Sequence, residues 1–424
     1  MFTKLRLFSG LTTRTQALHL LSTGWEGYVK RKVGAWLLVF TIGLSLFYNS
    51  PVNAAPACTS DVRYPRQPLT MCAETIVTYP LAQGMASISA LAFGPDGALY
   101  LARPATSEIA RLVPNADGFL PSPIPYDKAQ VFASNLPEPP NGLTYYDGAW
   151  YVSGDTTITR LRDTDGNGTV TEQKIIVHDL PGGVGGWLGN IHVGPDKRLY
   201  VAKASSCDAC IESDPRRGAL LSFALDGSDP QIVARGLRDS YDFDWLANGT
   251  LAIVDNERDS LAAELNLLPK PDPSHVADFG WPRCDNQAKP VNDISGATVQ
   301  NCGGTLSPVV TFEPGSHPTG VQFYQGDAFP AYKNGLLVEL AGSWNQTVTT
   351  GYALMLVPFD ANGKPGVVEQ LIPNPKTSRP YLSDASLYRL SFYPDHLIGI
   401  AVSREGWIYL SMSEGRIIRY RPMP

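Results

Sequence analysis

The chain has 424 residues, a formal net charge of −6, and 39 Gly and 35 Pro against only 17% charged residues. Helical periodicity is almost absent, and so many turn formers fit an all-β protein. No Lys/Arg cluster stands in the mature part, so nucleic acid is excluded as an expected partner.

The first element is an export signal. "KRK" at Lys30–Lys32 precedes the apolar run Val33–Tyr48, and the small residues of "VNAAPA" follow, so residues 1–55 read as a signal peptide with an extended N-terminal region. That run is shorter than the roughly 20 residues of a spanning helix. The rival is an uncleaved membrane anchor. Residues 56–424 are then one exported domain, periplasmic or extracellular, with no stable membrane span.

Along that domain one unit recurs. "AFGPDGALYLA" (Ala92–Ala102), "TYYDGAWYVSG" (Thr144–Gly154), "HVGPDKRLYVA" (His192–Ala202), "DWLANGTLAIVD" (Asp244–Asp255), "AYKNGLLVELAG" (Ala331–Gly342) and "AVSREGWIYLS" (Ala401–Ser411) each read as strand, tight turn, strand. Gly97, Gly148, Lys197 and Gly249 mark the first four turns, at spacings of 51, 49 and 52; gaps of 86 to Gly335 and 71 to Gly406 imply insertions. A period of roughly 40–50 residues with several strands indicates a β-propeller blade. Six copies predict a six-bladed β-propeller of four-stranded blades, which needs about 300 residues. Closing the ring buries both faces of every blade.

Six cysteines in an exported chain read as disulfides. Proximity pairs Cys58 with Cys72, Cys207 with Cys210 and Cys284 with Cys302, among fifteen connectivities. The rival for "CDAC" is a redox or zinc motif, but zinc lacks a second ligand pair. "DTDGNGTVTEQK" (Asp163–Lys174) imitates an EF-hand loop, yet Lys174 stands where a bidentate Glu is required, so a hairpin tip is expected. Asn167, Asn248 and Asn345 begin glycosylation sequons that matter only in a eukaryotic secretory pathway. Neither a nucleotide-binding G-x-G-x-x-G nor a G-x-S-x-G elbow is present.

The stretch "GPDKRLYVAKASSCDACIESDPRRGALLSFALDGS" (Gly194–Ser228), with "ARGLRDSYDFDW" (Ala234–Trp245), "VDNERDS" (Val254–Ser260), "DFGWPRC" (Asp278–Cys284) and "SHPTGVQFYQGDAFPAYKNGLLVELAGSWN" (Ser316–Asn345), resembles the glucose/sorbosone dehydrogenase family. "SSCDAC" and "GSWN" are most similar to its sorbosone dehydrogenase branch. The resemblance implies an exported propeller that oxidises aldoses, sorbosone or a similar small alcohol with pyrroloquinoline quinone (PQQ) and calcium. The site then lies at one mouth of the central tunnel.

The family's general-base His falls on Gly186, which has no proton acceptor. Candidate replacements are His192, Asp239 and His317; His192 is otherwise a packed strand residue. Arg238 stands at a family position near the quinone and suits its carboxylates, unless it forms a local ion pair, for example with Asp239. The run Asp255-Asn256-Glu257-Arg258-Asp259 matches the calcium loop, where backbone carbonyls serve as ligands, or is a solvated charged loop. Asn256, Gln346 and His396 are expected around the cofactor, and Glu257 and Arg258 around the metal. Gln346, Ala353 and His396 replace basic residues that the family usually carries. A non-catalytic binding propeller is therefore the alternative function. A metal-dependent lactonase using Asp239, Asn256 and Glu257 is a third.

Overall fold

Four-stranded antiparallel sheets repeat six times around an axis in the computed structural model. It describes residues 55–58, 68, 70–80, 88–183, 188–258, 260–272, 274–297, 299, 301–344, 349–373 and 395–423. The innermost strands are Ala90–Phe93, Gly142–Tyr146, Leu188–Val193, Phe243–Trp245, Pro318–Phe323 and Leu397–Val402, one for each of blades 1 to 6. Each packs beside the next, and the last returns to the first, so the ring is closed. The propeller falls within the unit Ala55–Pro424.

The strands alternate as the sequence predicts, but both faces are covered. Second strands such as Leu199–Lys203, Leu251–Asp255 and Gly335–Leu340 are buried at every residue. Six apolar clusters lie at the blades and between them; one joins Leu199, Val201 and Leu221 of blade 3 to Tyr151 and Ile158 of blade 2.

Only one of the six turns is the two-residue hairpin suggested by Asp-Gly and Asn-Gly. Tyr146 pairs with Ala149, and Asp147 and Gly148 both have positive φ, 46° and 77°, as a type I′ turn demands. In blades 1, 3, 4 and 6 the closing pairs are Phe93–Leu99, Val193–Leu199, Trp245–Leu251 and Val402–Ile408. Those loops carry one left-handed residue each: Gly97, Lys197, Gly249 and Gly406.

Ring closure is carried by Met71–Thr78, which pairs antiparallel with Arg416–Pro422 as the outer strand of blade 6. Cys58–Cys72 ties the preceding segment to this strand. Glu74 anchors it from within: its carboxylate takes Arg419 Nη2 at 2.7 Å and Arg421 Nε at 2.8 Å, with all three side chains buried. The 86-residue gap is an insertion inside blade 4, between the strands Ala262–Leu268 and Val310–Pro314. It adds Ala277–Asp278 in parallel to the outer edge of blade 3 and holds Cys284–Cys302 beside a small core of Trp281, Val291, Ile294 and Ala297. The third proposed bridge, Cys207–Cys210, is also formed.

The Asp163 loop is a hairpin tip between the last two strands of blade 2. Asp163 accepts from the amides of Gly166, Asn167 and Gly168, so its oxygens hold their own turn.

Candidate active site at the tunnel mouth

Arg238-Asp239, His317 and His396 each stand just before an innermost strand, and Asn256 and Glu257 directly follow the second strand of blade 4. All six therefore lie at one end of the propeller. Gly186, Gln346 and Asp259 belong to the same set by sequence but lie outside the described residues.

Arg238 organises this end. Its Nη1 donates to the carbonyls of Asn256 (3.0 Å) and Glu257 (3.1 Å), its Nε donates to the Asp208 carbonyl (3.2 Å), and its Nη2 pairs with the Asp208 carboxylate. The guanidinium also lies over Trp281, 5.6 Å from the ring centre. Its ion-pair partner is thus Asp208, inside the Cys207–Cys210 loop, and not the adjacent Asp239. Asp208 is 78% exposed while Arg238 is 14% exposed. The arrangement is an enclosed anion receiver whose present anion hangs in from solvent.

Beside it is a pocket of buried acids. One oxygen each of Asp255, Glu257 and Glu264 lies within 4.8 Å of the others. Asp255 and Glu264 are cross-strand partners in blade 4, which turns both to one face. Asp255 is partly satisfied: it accepts from the amides of Arg238 (2.8 Å) and Asp239 (2.8 Å) and so shapes the mouth turn. Glu264 Oε2 accepts from Asn266 Nδ2 at 2.8 Å. Glu257 Oε2, Asn256 Oδ1 and Asn266 Oδ1 are buried with no hydrogen-bond partner.

Burial raises all three carboxyl pKa values, and the like charges add to it; Glu264 reaches about 9. Unsatisfied buried oxygens are costly, and a hard cation with oxygen ligands would satisfy these. Arg258 is not aimed into this pocket. Its guanidinium turns out to Asp293 of the insertion at 2.7 Å. The sulfurs of Cys207 and Cys210 are committed to their disulfide, so the zinc reading of "CDAC" has no thiolates to use.

Asp242 and Asp244 are engaged by hydrogen bonds, whereas Glu339 close to Asp242 is buried with neither carboxylate oxygen partnered. Asp242 Oδ1 holds His192 Nε2 at 2.8 Å, and its Oδ2 accepts from the Val321 amide at 2.9 Å. Asp244 accepts from the Phe323 amide at 2.7 Å and from Gln322. These contacts stitch blades 3, 4 and 5 together. Burial opposes the charge on His192, but Asp242 and Asp244 outweigh it and raise its pKa. His192 is thereby placed as a strut between blades.

Asp239 keeps some contact with water at the mouth, yet protein surrounds it. That burial raises its carboxyl pKa against the opposing pull of Arg238 and His317. His317 adopts φ 47°, a left-handed conformation uncommon for a residue with a side chain. Ala341 donates to its carbonyl at 2.8 Å. Gly342, with φ 101°, leaves room for Tyr352: a Cβ there would meet that ring at 2.3 Å. Tyr352 packs near His396, and Trp344 stacks on His396 at 3.5 Å. Ala353 is buried and brings no charge to the mouth.

Glu264, Asn266, Asp208 and Trp344 escaped the reading of the sequence as site residues. A signal for the first two exists in "AAELNLL", where a polar residue at every second position interrupts an otherwise apolar strand.

Residues 141–347 match the model of the Glucose / Sorbosone dehydrogenase family, and residues 283–418 match a TrAA12-like model. An uncharacterised protein of Borreliella burgdorferi is 27% identical over 161 residues, 36% of this chain and 41% of that protein. Among solved structures, the calcium structure of a Trichoderma reesei enzyme of carbohydrate-active family AA12 is similar with a TM-score of 0.66, 16% identity and coverage of 87% and 99% of the two chains. The holo PQQ domain of pyranose dehydrogenase from Coprinopsis cinerea gives 0.63, 15%, 87% and 98%. The PQQ-bound aldose sugar dehydrogenase of Streptomyces coelicolor gives 0.55, 16%, 84% and 99%. At these identities the solved structures speak to the fold, and the matches do not separate the sorbosone branch from the rest. The chain is a six-bladed β-propeller that is similar to the glucose/sorbosone dehydrogenase family over residues 141–347.

Proposed function

We propose that this protein is an exported oxidoreductase that oxidises a small sugar or sugar-like alcohol at the tunnel mouth, with calcium and PQQ as its cofactors. One observation carries the reading. An enclosed cation, Arg238, held by an exposed and exchangeable carboxylate, stands next to a pocket of buried acids with unsatisfied oxygens.

Both groups fit the residues present. Asp255, Glu257 and Glu264, with Asn256 Oδ1, offer the oxygen donors of a calcium site. Arg238 would exchange Asp208 for a cofactor carboxylate, a bidentate contact that suits its planar fork. When bound, PQQ supplies the two-electron acceptor. Asp239 does not repel an anion while it holds its proton, which its raised pKa favours. Trp344, 49% exposed, offers an apolar face for a sugar ring. Three disulfides support export, and among the described residues no helix is long and apolar enough to cross a membrane.

A second reading, a propeller that binds sugar without oxidising it, is favoured by the buried Ala353 and by Gly186 at the expected base position. The deciding experiment supplies the purified chain with calcium and PQQ and follows cofactor absorbance and dye reduction with a panel of aldoses. Sugar-dependent bleaching of the dye supports the oxidoreductase; PQQ that stays unbound favours the binding propeller.

A further inference from the structure

Three histidines stand on or just before innermost strands, His317 and His396 at the mouth and His192 near the far end of its strand, and their ring nitrogens are committed differently. His192 Nε2 is held by Asp242. His317 Nε2 is shut off from solvent. His396 is partly exposed, its Nδ1 lies 3.0 Å from the Ala341 carbonyl, and its Nε2 meets no hydrogen-bonding group among the described residues. A carbonyl oxygen only accepts, so Nδ1 carries the proton and Nε2 carries the lone pair. The ring plane is fixed by Trp344, stacked at 3.5 Å and 9°, with Tyr352 tilted at 5.0 Å. The backbone is fixed as well, since His396 N donates to Ser413 Oγ and Ser413 N donates back to His396 O. A half-buried imidazole clamped in one tautomer, with its basic nitrogen unclaimed beside an exposed indole, is built to meet a hydroxyl.

We infer that His396 Nε2 is the proton acceptor for the substrate hydroxyl, the role that Gly186 leaves vacant. The inference rests on the oxidoreductase reading above. In the step, the substrate O–H bond breaks and its proton goes to Nε2. The C–H bond breaks and its hydrogen leaves with both electrons for the quinone oxidant, and the carbon–oxygen double bond forms. Burial, joined by the neighbouring His317, lowers the His396 pKa; the Ala341 hydrogen bond and Asp395 work against this without reversing it. The imidazole is therefore uncharged at neutral pH, as a base must be.

The test uses the full chain loaded with calcium and PQQ and has two readouts. Diethyl pyrocarbonate, which attacks a free neutral imidazole nitrogen, is applied with and without aldoses, and labelled peptides are mapped by mass. His396 is expected to be labelled well before His192, and an aldose is expected to shield it. His396→Asn keeps a donor at the Nδ1 position for Ala341 and removes Nε2. It is expected to lose about 100- to 10,000-fold in kcat, with KM little changed and the acidic limb of the pH–rate profile abolished.

A folded Asn variant within threefold of wild-type kcat overturns the inference, and so does labelling of His396 that ignores every sugar. If wild type turns over no sugar but an aldose still shields His396, the oxidoreductase reading fails while the sugar-facing placement of Nε2 is upheld.

Discussion

Asp242 and Asp255 are both buried aspartates of blade 4, 2% and 1% exposed, but their surroundings differ. Around Asp242 the aspartate's own oxygens are answered: His192, the Val321 amide and the neighbouring Asp244 contacts form a set that joins three blades, and only Glu339 close by is buried with its carboxylate oxygens unpartnered. Around Asp255 the set is open. Glu257 and Glu264 crowd it, and three buried oxygens nearby have no donor. Closed sets of buried charge hold folds together, whereas an open set is tolerated where a ligand completes it. One region is the frame of the ring, and the other is a socket at its mouth.

The largest expected effect sharpens the closed side. Glu74→Ala removes the shared carboxylate of Arg419 and Arg421 and leaves two buried guanidinium groups, which costs about 3–5 kcal/mol. Urea melts of the two proteins check it, with an unchanged midpoint as the contrary result. On the open side, calcium is expected to raise the unfolding free energy by about 2.7 kcal/mol at a free concentration near 100 times Kd. Thermal melts with and without chelator read this effect, and it should vanish in Glu257→Gln/Glu264→Gln. Asp242→Asn, by contrast, is expected to cost about 2 kcal/mol whether or not calcium is present, because it breaks charge-assisted bonds in the frame. Calcium dependence of that loss would erase the distinction between the two regions.

A pH series probes the same contrast. Folding raises the pKa values of Asp255, Glu257 and Glu264 above their usual carboxyl values near 4. The folded chain then binds more protons than the unfolded chain across that interval. The contribution is fully present below about pH 4 and is lost as pH rises through the folded values, the highest near 9. Calcium-free protein is therefore expected to lose stability between those limits, and calcium should flatten the decline by taking the place of the protons. Melting temperatures from pH 4 to about 9, with and without calcium, give the comparison. The smallest effect belongs to Arg258→Ala. Its partner Asp293 is exposed, and no measurable shift in melting temperature is expected.

The ring was legible in the sequence because each blade repeats a local signal, two strands about a left-handed residue such as Gly97 or Gly249. The disulfides followed from spacing along the chain. The closing strand Met71–Thr78 was hidden, since it carries no turn of its own and pairs with the far end of the chain. Loop length was also misjudged, because Asp-Gly marks positive φ without fixing how many residues close the loop. At the mouth, Arg238 was visible as an anion receiver, but Asp208 was not visible as its partner. That contact spans 30 residues and depends on how the Cys207–Cys210 loop folds back. The acid pocket was half visible. Asp255 and Glu257 fall in one charged run, whereas Glu264 arrives from the next strand and converges only through cross-strand register.

Calorimetric titration of calcium into calcium-stripped full-length chain tests the socket most directly. The expected result is a single site with proton release, lost in Glu257→Gln/Glu264→Gln and kept in Asp242→Asn. Binding that is equally strong in the double variant, or no binding heat in wild type, would contradict the assignment of these acids to a cation.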